Sequence, residues 1–376
     1  MTHPYLVKSV ENKKWLWFQQ ANTYLQLEDA AFLVFEKLQQ NKDIQQVSEW
    51  CVDTFQIDAK DARESVEVID RITRTELLKK RETKNFLKRD KKDFPASFYR
   101  VASYCFNNTH FVFYYGNAQI ETMFHPLFAH IQCSTETANA LHLHLFERDK
   151  QFHLFVNEQH IGSWALNEDH VFKGQVFMAL LNNAHHKEEQ DWMGVLHASA
   201  IGNDDGCVLF LGDSGNGKST ASAIAMAKGF SLLADDFVPI DTNGRVLAFP
   251  AAISVKKKAI GMLASDFPDL LNAKEYELKA MNKTVRYLVP KALQQLTRKV
   301  KALVFIKYQP DGEDVNLQPM NRHEAFQHVV IDAWISPHEV NARFFLDWMS
   351  GIPLYKLSYS NNRKMLESIS EILDKD

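Results

Sequence analysis

Between residues 207 and 229 the chain reads as strand, glycine loop and helix, and this frame constrains its fold more than any other feature. Cys207-Val208-Leu209-Phe210-Leu211 is an uninterrupted apolar run of strand length. It ends at Gly212-Asp213-Ser214-Gly215-Asn216-Gly217-Lys218-Ser219, with the spacing G-x-x-x-x-G-K-S. Gly212, Gly215 and Gly217 permit the backbone conformations that turn successive N–H groups onto one anion. Ser219 to Lys228 is rich in helix formers and is closed by Gly229, so the positive end of a helix faces the same anion. The combination is a cradle for the phosphates of a nucleoside triphosphate. Lys218 brings a point charge to the β- and γ-phosphates and the Ser219 hydroxyl is placed to hold Mg²⁺, with Asp213, Ser214, Asn216 and Thr220 completing the expected binding set. The expected cofactors are ATP and Mg²⁺.

The next strand, Phe230-Ser231-Leu232-Leu233-Ala234-Asp235-Asp236, ends in two adjacent acids. One helix after a phosphate loop, such a strand carries carboxylates to the γ-phosphate. There one acid serves the metal and the other takes the proton of an attacking hydroxyl. Spacing alone leaves open which acid does which. Upstream, Val195-Leu196-His197-Ala198-Ser199-Ala200 reads as a strand, and Gly202-Asn203-Asp204-Asp205-Gly206 as a hairpin turn into the phosphate-loop strand. This turn brings His197 toward the loop, although a histidine in an apolar strand is also an ordinary core residue.

The rest of the chain supplies context. The first segment, to Leu78, carries a strand Lys14–Phe18, a second strand Thr23–Leu27 and three helical patterns. Ala31, Phe32, Phe35 and Leu38 mark the first helix and Val47, Trp50, Cys51 and Phe55 the second. The third is capped by Asp58, with Ala62, Val66, Ile69 and Ile72 on one stripe. Two strands and three helices make a small winged-helix-like module. Residues 79–97 form a charged linker, with a basic run from Lys79 to Asp93. Residues 98–190 are β-rich, with strands at Phe111–Tyr115, Leu141–Phe146 and Phe152–Val156 and a helix over Gln175–Leu181. Residues 191–376 alternate strands and helices around the phosphate loop, with a strand at Ala302–Ile306 and a closing helix from Asn362 to Leu373.

Four cysteines lie far apart without a CxxC pair, and the expectation is thiols in a reducing compartment rather than a disulfide or zinc framework. His142, His144, His185 and His186 read as solvent-facing or hydrogen-bonded, not as metal ligands. A net charge of −4 points to no nucleic-acid partner. No stretch approaches the roughly 18 apolar residues of a membrane span, and no secretory signal pattern opens the sequence, so a cytoplasmic location is expected. Oligomeric state is left open, a homo-oligomer included.

Two resemblances sharpen these readings. The first segment resembles the PqqD-like leader-peptide recognition modules of ribosomal-peptide biosynthesis, through its strand pair, the helix Leu25–Leu38 and the segment Val47–Asp58. The set "Leu-His-Ala-Ser-Ala … Leu-Gly-Asp-Ser-Gly-Asn-Gly-Lys-Ser-Thr … Leu-Leu-Ala-Asp-Asp" resembles the HPr kinase/phosphorylase family, and more closely its HprK-like relatives in peptide-modification gene clusters. This second likeness implies a PEPCK-like P-loop kinase core that transfers the γ-phosphoryl of ATP to a serine hydroxyl. It further implies Asp236 as base, Lys218 and His197 as active-site groups and Ser219 as a metal ligand, with Asp235 as the companion acid.

The family's later glutamate-bearing signature is replaced by Phe249–Lys258, similar to the Pro-x-x-Ile-Ser-x-Lys segment of the HprK-like relatives. Lys256 is thereby a candidate phosphate or substrate contact or an exposed loop lysine, and Arg286 a further candidate charge stabiliser. The expected whole is a multidomain α/β protein: an ATP- and Mg²⁺-dependent kinase of a serine or threonine hydroxyl in a peptide or protein, with a ribosomal precursor peptide as partner. The alternatives are a kinase of a small-molecule hydroxyl and a nucleotide-dependent binding or switch protein.

Overall fold

A computed structural model describes residues 4–40, 43–80, 89–90, 93–134, 139–278, 283–290 and 297–375. The fold is mixed α/β and multidomain, and it divides into two compact units. The first comprises Met1–Lys84 with Ile335–Gly351, and the second Asn85–Trp334 with Ile352–Asp376. No helix among the described residues is long and apolar enough to cross a membrane.

The first unit opens with strands β1 (Tyr5–Val10), β2 (Lys13–Phe18) and β3 (Thr23–Glu28) and continues through helices α1 (Asp29–Gln39), α2 (Ile44–Phe55) and α3 (Ala59–Leu78). The sheet has three antiparallel strands, in the order β1-β2-β3, not the expected two. Helix starts follow local chemistry. Asp43 and Gln46 form a reciprocal capping box at α2, and Asp58 accepts from the Lys60 and Asp61 amides at α3, as its position predicts. Ala62 and Val66 are fully buried against Val34, Val47 and Cys51. The expected stripe on α3 ends early, because Ile72 is exposed and Thr73 takes the inward position, its hydroxyl donating to the Ile69 carbonyl.

Strand β2 explains why this unit needs a segment from far downstream. Trp15, Leu16, Trp17 and Phe18 are all buried, so both faces of the sheet are covered rather than one. Leu16 and Phe18 pack with Phe32 and Phe35 beneath α1. On the opposite face Trp17 pairs in register with Tyr24, whose ring meets Phe345 edge-on at 5.2 Å. Phe345 lies on the helix Glu339–Gly351, which also supplies Asp347 to Lys8 at 2.6 Å.

The second unit starts with a five-stranded sheet in the order of its sequence: β4 (Arg100–Phe106), β5 (Thr109–Tyr115), β6 (Leu141–Arg148), β7 (Gln151–Val156) and β8 (Gln159–Ala165). Three tight turns within it, Asn107-Asn108, Asp149-Lys150 and Asn157-Glu158, have positive φ at both residues, the signature of two-residue hairpins. Helices α4 (Ala118–Phe128) and α5 (Asp169–Ala184) accompany the sheet, and a cluster of aromatic rings, with Phe124, Phe152 and Trp164 around Phe172, fixes the seat of α5. The expected free thiols are corrected for one pair: Cys105 and Cys133, 28 residues apart, are joined as a disulfide with their Cα atoms 6.0 Å apart. Cys51 and Cys207 are buried free thiols, and burial raises the pKa of both. His142 hydrogen-bonds the Tyr114 hydroxyl, His185 bonds the Ala248 carbonyl and His186 is exposed. His144 is instead buried, its ring stacked on Phe94 and Tyr114.

The remaining elements build the phosphate-loop sheet: β9 (Trp192–Leu196), β10 (Ser199–Gly202), β11 (Cys207–Leu211), α6 (Lys218–Ala227), β12 (Ser231–Asp235), β13 (Val238–Asp241) and β14 (Arg245–Leu247). Next come β15 (Ile253–Lys256), α7 (Lys257–Leu263), β16 (Tyr276–Leu278), β17 (Lys283–Leu288), β18 (Thr297–Tyr308) and β19 (Val315–Pro319). The chain closes with α8 (Arg322–Asp332), β20 (Trp334–Ile335), α9 (Glu339–Gly351), β21 (Leu354–Tyr359) and α10 (Asn362–Leu373). The order β12-β10-β11-β18-β14-β13-β9 places the fully buried β11 between antiparallel β10 and parallel β18, with β21 parallel to β18. Helices α6 and α10 pack on one face through Ala221, Ile224, Met365 and Ile369, which anchors the loop at the top of β11. Strands β15, β17 and β16 form a small separate sheet beside it. Most of the charged linker lies outside the described residues.

Candidate functional site

The loop after β11 has the geometry its glycines predict. Gly212, Gly215 and Gly217 have φ of 128°, 105° and 101°, conformations that L side chains rarely adopt. Gly212 is required twice over, since a Cβ there would sit 3.0 Å from the Ile306 carbonyl oxygen. The Tyr308 amide donates to the Asn216 carbonyl at 3.0 Å, tying the loop to β18. A phosphate-binding lysine without its ligand would ordinarily reach into solvent, and Lys218 does not. It is instead only 6% exposed, its Nζ donating to the Gly212 carbonyl at 2.5 Å, so the ammonium is held within its own loop.

The two acids after β12 differ sharply. Asp235 is buried, and its Oδ1 accepts from the hydroxyls of Ser199 and, at 3.2 Å, Ser219. Burial, reinforced by the neighbouring Asp236 charge, pushes its pKa up to about 7. Asp236 has φ of 61° and its side chain is 51% exposed, with Oδ1 lying 3.9 Å from His197 Nδ1. The chain turns at that left-handed residue, so consecutive carboxylates point one into the floor and one to the mouth. His197 is not in a strand at all. It occupies the bend between β9 and β10 and faces the Asp236 carbonyl at 3.3 Å.

The cavity over the loop, about 320 Å³, is lined by Lys218, Ser219, Thr220 and Asp236 together with groups from four other elements, α5, β15, α7 and β17. Alternation along β15 turns Ser254 and Lys256 toward it while Ile253 and Val255 enter the core, and Lys256 Nζ reaches Ser214 Oγ at 3.2 Å. The same alternation along β17 presents Val285 and Tyr287 and turns Arg286 away. Arg286 is engaged by the Leu270 and Leu271 carbonyls and by Glu275 at 3.0 Å, so the structure does not bring it to the site. Lys173 of α5, unremarked in the sequence, also lines the cavity. Its Nζ lies 5.3 Å from the Phe177 ring, and burial pulls its pKa down against the opposing charges of Asp236 and Asp169.

A second cavity of about 390 Å³ adjoins the loop through Gly212, Asp213 and Asn216 and extends over the ends of β18, β19 and β21. The donor set fits Mg²⁺ and a polyphosphate. One hydroxyl and one buried carboxylate already share a contact, the oxygen chemistry a hard divalent cation takes, and a glycine-rich amide loop with a lysine stands beside them. No model of a known protein family matches the chain, and no curated protein is significantly similar to it.

The raised pKa of Asp235 has a measurable consequence in metal-free protein. The folded state keeps a proton that the unfolded chain releases near the ordinary value of 3.8. That contribution to stability is therefore full at pH below the ordinary value and is lost as pH rises through about 7. Thermal melts in chelator are expected to show the wild type losing stability relative to Asp235→Asn across this window, the buried histidines with lowered pKa values contributing equally to both proteins. An identical pH slope in both proteins would refute the assignment.

Proposed function

We propose that the chain is an ATP- and Mg²⁺-dependent kinase of a serine or threonine hydroxyl in a peptide or protein, on a PEPCK-like P-loop core, with a ribosomal precursor peptide captured by the first unit. The observation that carries this reading is the split between Asp235, buried on Ser219, and Asp236, turned out to the mouth beside His197. A protein that only bound nucleotide would have little use for the second, exposed acid, which weighs against that alternative.

Lys218 exchanges its Gly212 acceptor for phosphate oxygens, while the loop amides and the α6 N-terminus hold the remaining phosphate charge. The cavity running over β18 and β21 receives the nucleoside. Ser219 and Asp235, the latter directly or through water, would hold Mg²⁺, which would supply neutralisation of phosphate charge. Asp236 accepts the proton of the acceptor hydroxyl, and His197 orients that carboxylate. Lys173 and Lys256 add positive charge around the transferring group.

The direct test is mass spectrometry after incubation with Mg-ATP and candidate acceptors. Gain of one phosphate on a peptide serine or threonine is expected. Phosphorylation of a small-molecule alcohol alone would replace the peptide reading, and nucleotide binding without any transfer would leave a switch protein.

Capture of a leader has its own support. Strands β1 and β3 are the outer strands of the first unit's sheet, the positions where an extended peptide adds. An isolated leader peptide at saturation is expected to raise the KM for the full precursor by roughly tenfold or more while leaving kcat unchanged. It should leave the rate with a leaderless acceptor untouched. Equal inhibition of both substrates would reject capture.

A further inference from the structure

The five-stranded sheet carries a group of side chains that phosphoryl transfer does not use. Cys105 lies at the end of β4 and His110 near the start of β5, directly opposite each other across the Asn107-Asn108 turn. Cross-strand partners share a face of the sheet. The segment before residue 135 then returns to the outer side of β4. Gln132 bridges Tyr104, and the Cys133 amide donates to the Ser103 carbonyl at 2.9 Å, which sets Cys133 beside Cys105. The result is three ligand-type atoms within 4.8 Å of one another, on half-buried residues: Cys105 Sγ, Cys133 Sγ and a ring nitrogen of His110.

His110 Nδ1 stands 3.2 Å from Cys105 Sγ and 4.0 Å from Cys133 Sγ. A disulfide requires no ring nitrogen aimed at both of its sulfurs, whereas a chelate does. Around a tetrahedral zinc ion with Zn–S of about 2.3 Å and Zn–N of about 2.0 Å, neighbouring ligand atoms lie roughly 3.5–3.8 Å apart. The two nitrogen–sulfur distances already bracket that separation. Only the two sulfurs must move apart.

We infer that Cys105, His110 and Cys133 form a zinc site in the reduced protein, with the disulfide as the alternative state of the same atoms. On binding, each thiol loses its proton to solvent and ligates as thiolate, while neutral His110 gives a nitrogen lone pair. Two thiolates balance the ion's charge, which suits a half-buried position. Two sulfurs and an imidazole favour zinc over the hard cation of the phosphate loop. Three protein ligands among the described residues leave one tetrahedral position for water. The ion staples the segment after α4 to the edge strand β4, so its role is structural and separate from the kinase site.

The test uses the full chain, reduced with a phosphine and titrated with Co²⁺ and then Zn²⁺. One equivalent of Co²⁺ is expected to bind with sulfur-to-cobalt charge-transfer absorption, and Zn²⁺ should displace it and raise the melting temperature. Cys133→Ser and His110→Gln are each expected to weaken binding at least roughly tenfold. Reduced wild type binding no more metal than a Cys105→Ser/Cys133→Ser double variant would overturn the inference, whatever the single variants do. Unchanged affinity in a folded His110→Gln variant would also overturn it, by removing the histidine from the site.

Discussion

Asp236→Asn is expected to lower the rate of phosphoryl transfer by about 10³-fold while Mg-ATP still binds with wild-type affinity. The size follows from general-base catalysis, which contributes roughly 10²–10⁴-fold. The substitution is clean for a conformational reason. Asp236 sits at φ of 61°, and asparagine is among the few side chains that tolerate this region, so the turn aiming residues 235 and 236 in different directions survives. Single-turnover transfer and calorimetry of Mg-ATP, run on the same preparation, check both halves. Should Asp236→Asn abolish Mg-ATP binding while Asp235→Asn transfers phosphate normally, the two acids have exchanged roles.

Lys218→Ala is expected to cost on the order of 10³-fold in kcat/KM, because the ammonium is a positive charge built into the phosphate loop itself. The structure adds a stability effect that a solvent-facing lysine would not show. Removing the ammonium leaves the half-buried Gly212 carbonyl without the donor it holds at 2.5 Å, a loss of about 0.5–1.5 kcal/mol, the net worth of one hydrogen bond at a position water can reach. Chemical denaturation should find that loss together with a native far-UV spectrum. A variant with wild-type turnover would remove the phosphate loop from catalysis.

What the sequence made legible follows from how local each signal was. The phosphate-loop strand, the closing helix Asn362–Leu373 and the cap at Asp58 depend on neighbours within a few residues, and they stand where the sequence pattern put them. Residues whose position depends on a distant partner were opaque. Lys173 enters the cavity because aromatic packing seats α5, and nothing in Phe172-Lys173-Gly174 announces it. Cys105 meets Cys133 through a bridge to an edge strand, without any short cysteine spacing. Arg286 was a plausible charge, yet the strand's period of two turns it from the cavity that Val285 and Tyr287 line. The need for a distant partner is nonetheless written in one place: Trp15-Leu16-Trp17-Phe18 does not alternate, and a strand apolar on both sides demands cover on both sides.

That cover has a consequence for biosynthesis. Helix α9, residues 339–351, completes the first unit, so a domain begun at β1 cannot finish until about 260 residues beyond Leu78 have been made. While the phosphate-loop sheet is being translated, the second face of the β1–β3 sheet, with Trp17 and Tyr24, has no permanent partner and must be shielded by transient contacts or a chaperone. Recombinant fragments inherit the same dependence. A chain cut after Leu78 lacks the helix that carries Phe345, and a chain starting after Leu78 retains that helix with its apolar face bare. Supplying residues 335–351 as a peptide to the first fragment, and recording whether its tryptophan fluorescence becomes native-like, would show how much of the unit's order waits on those last residues.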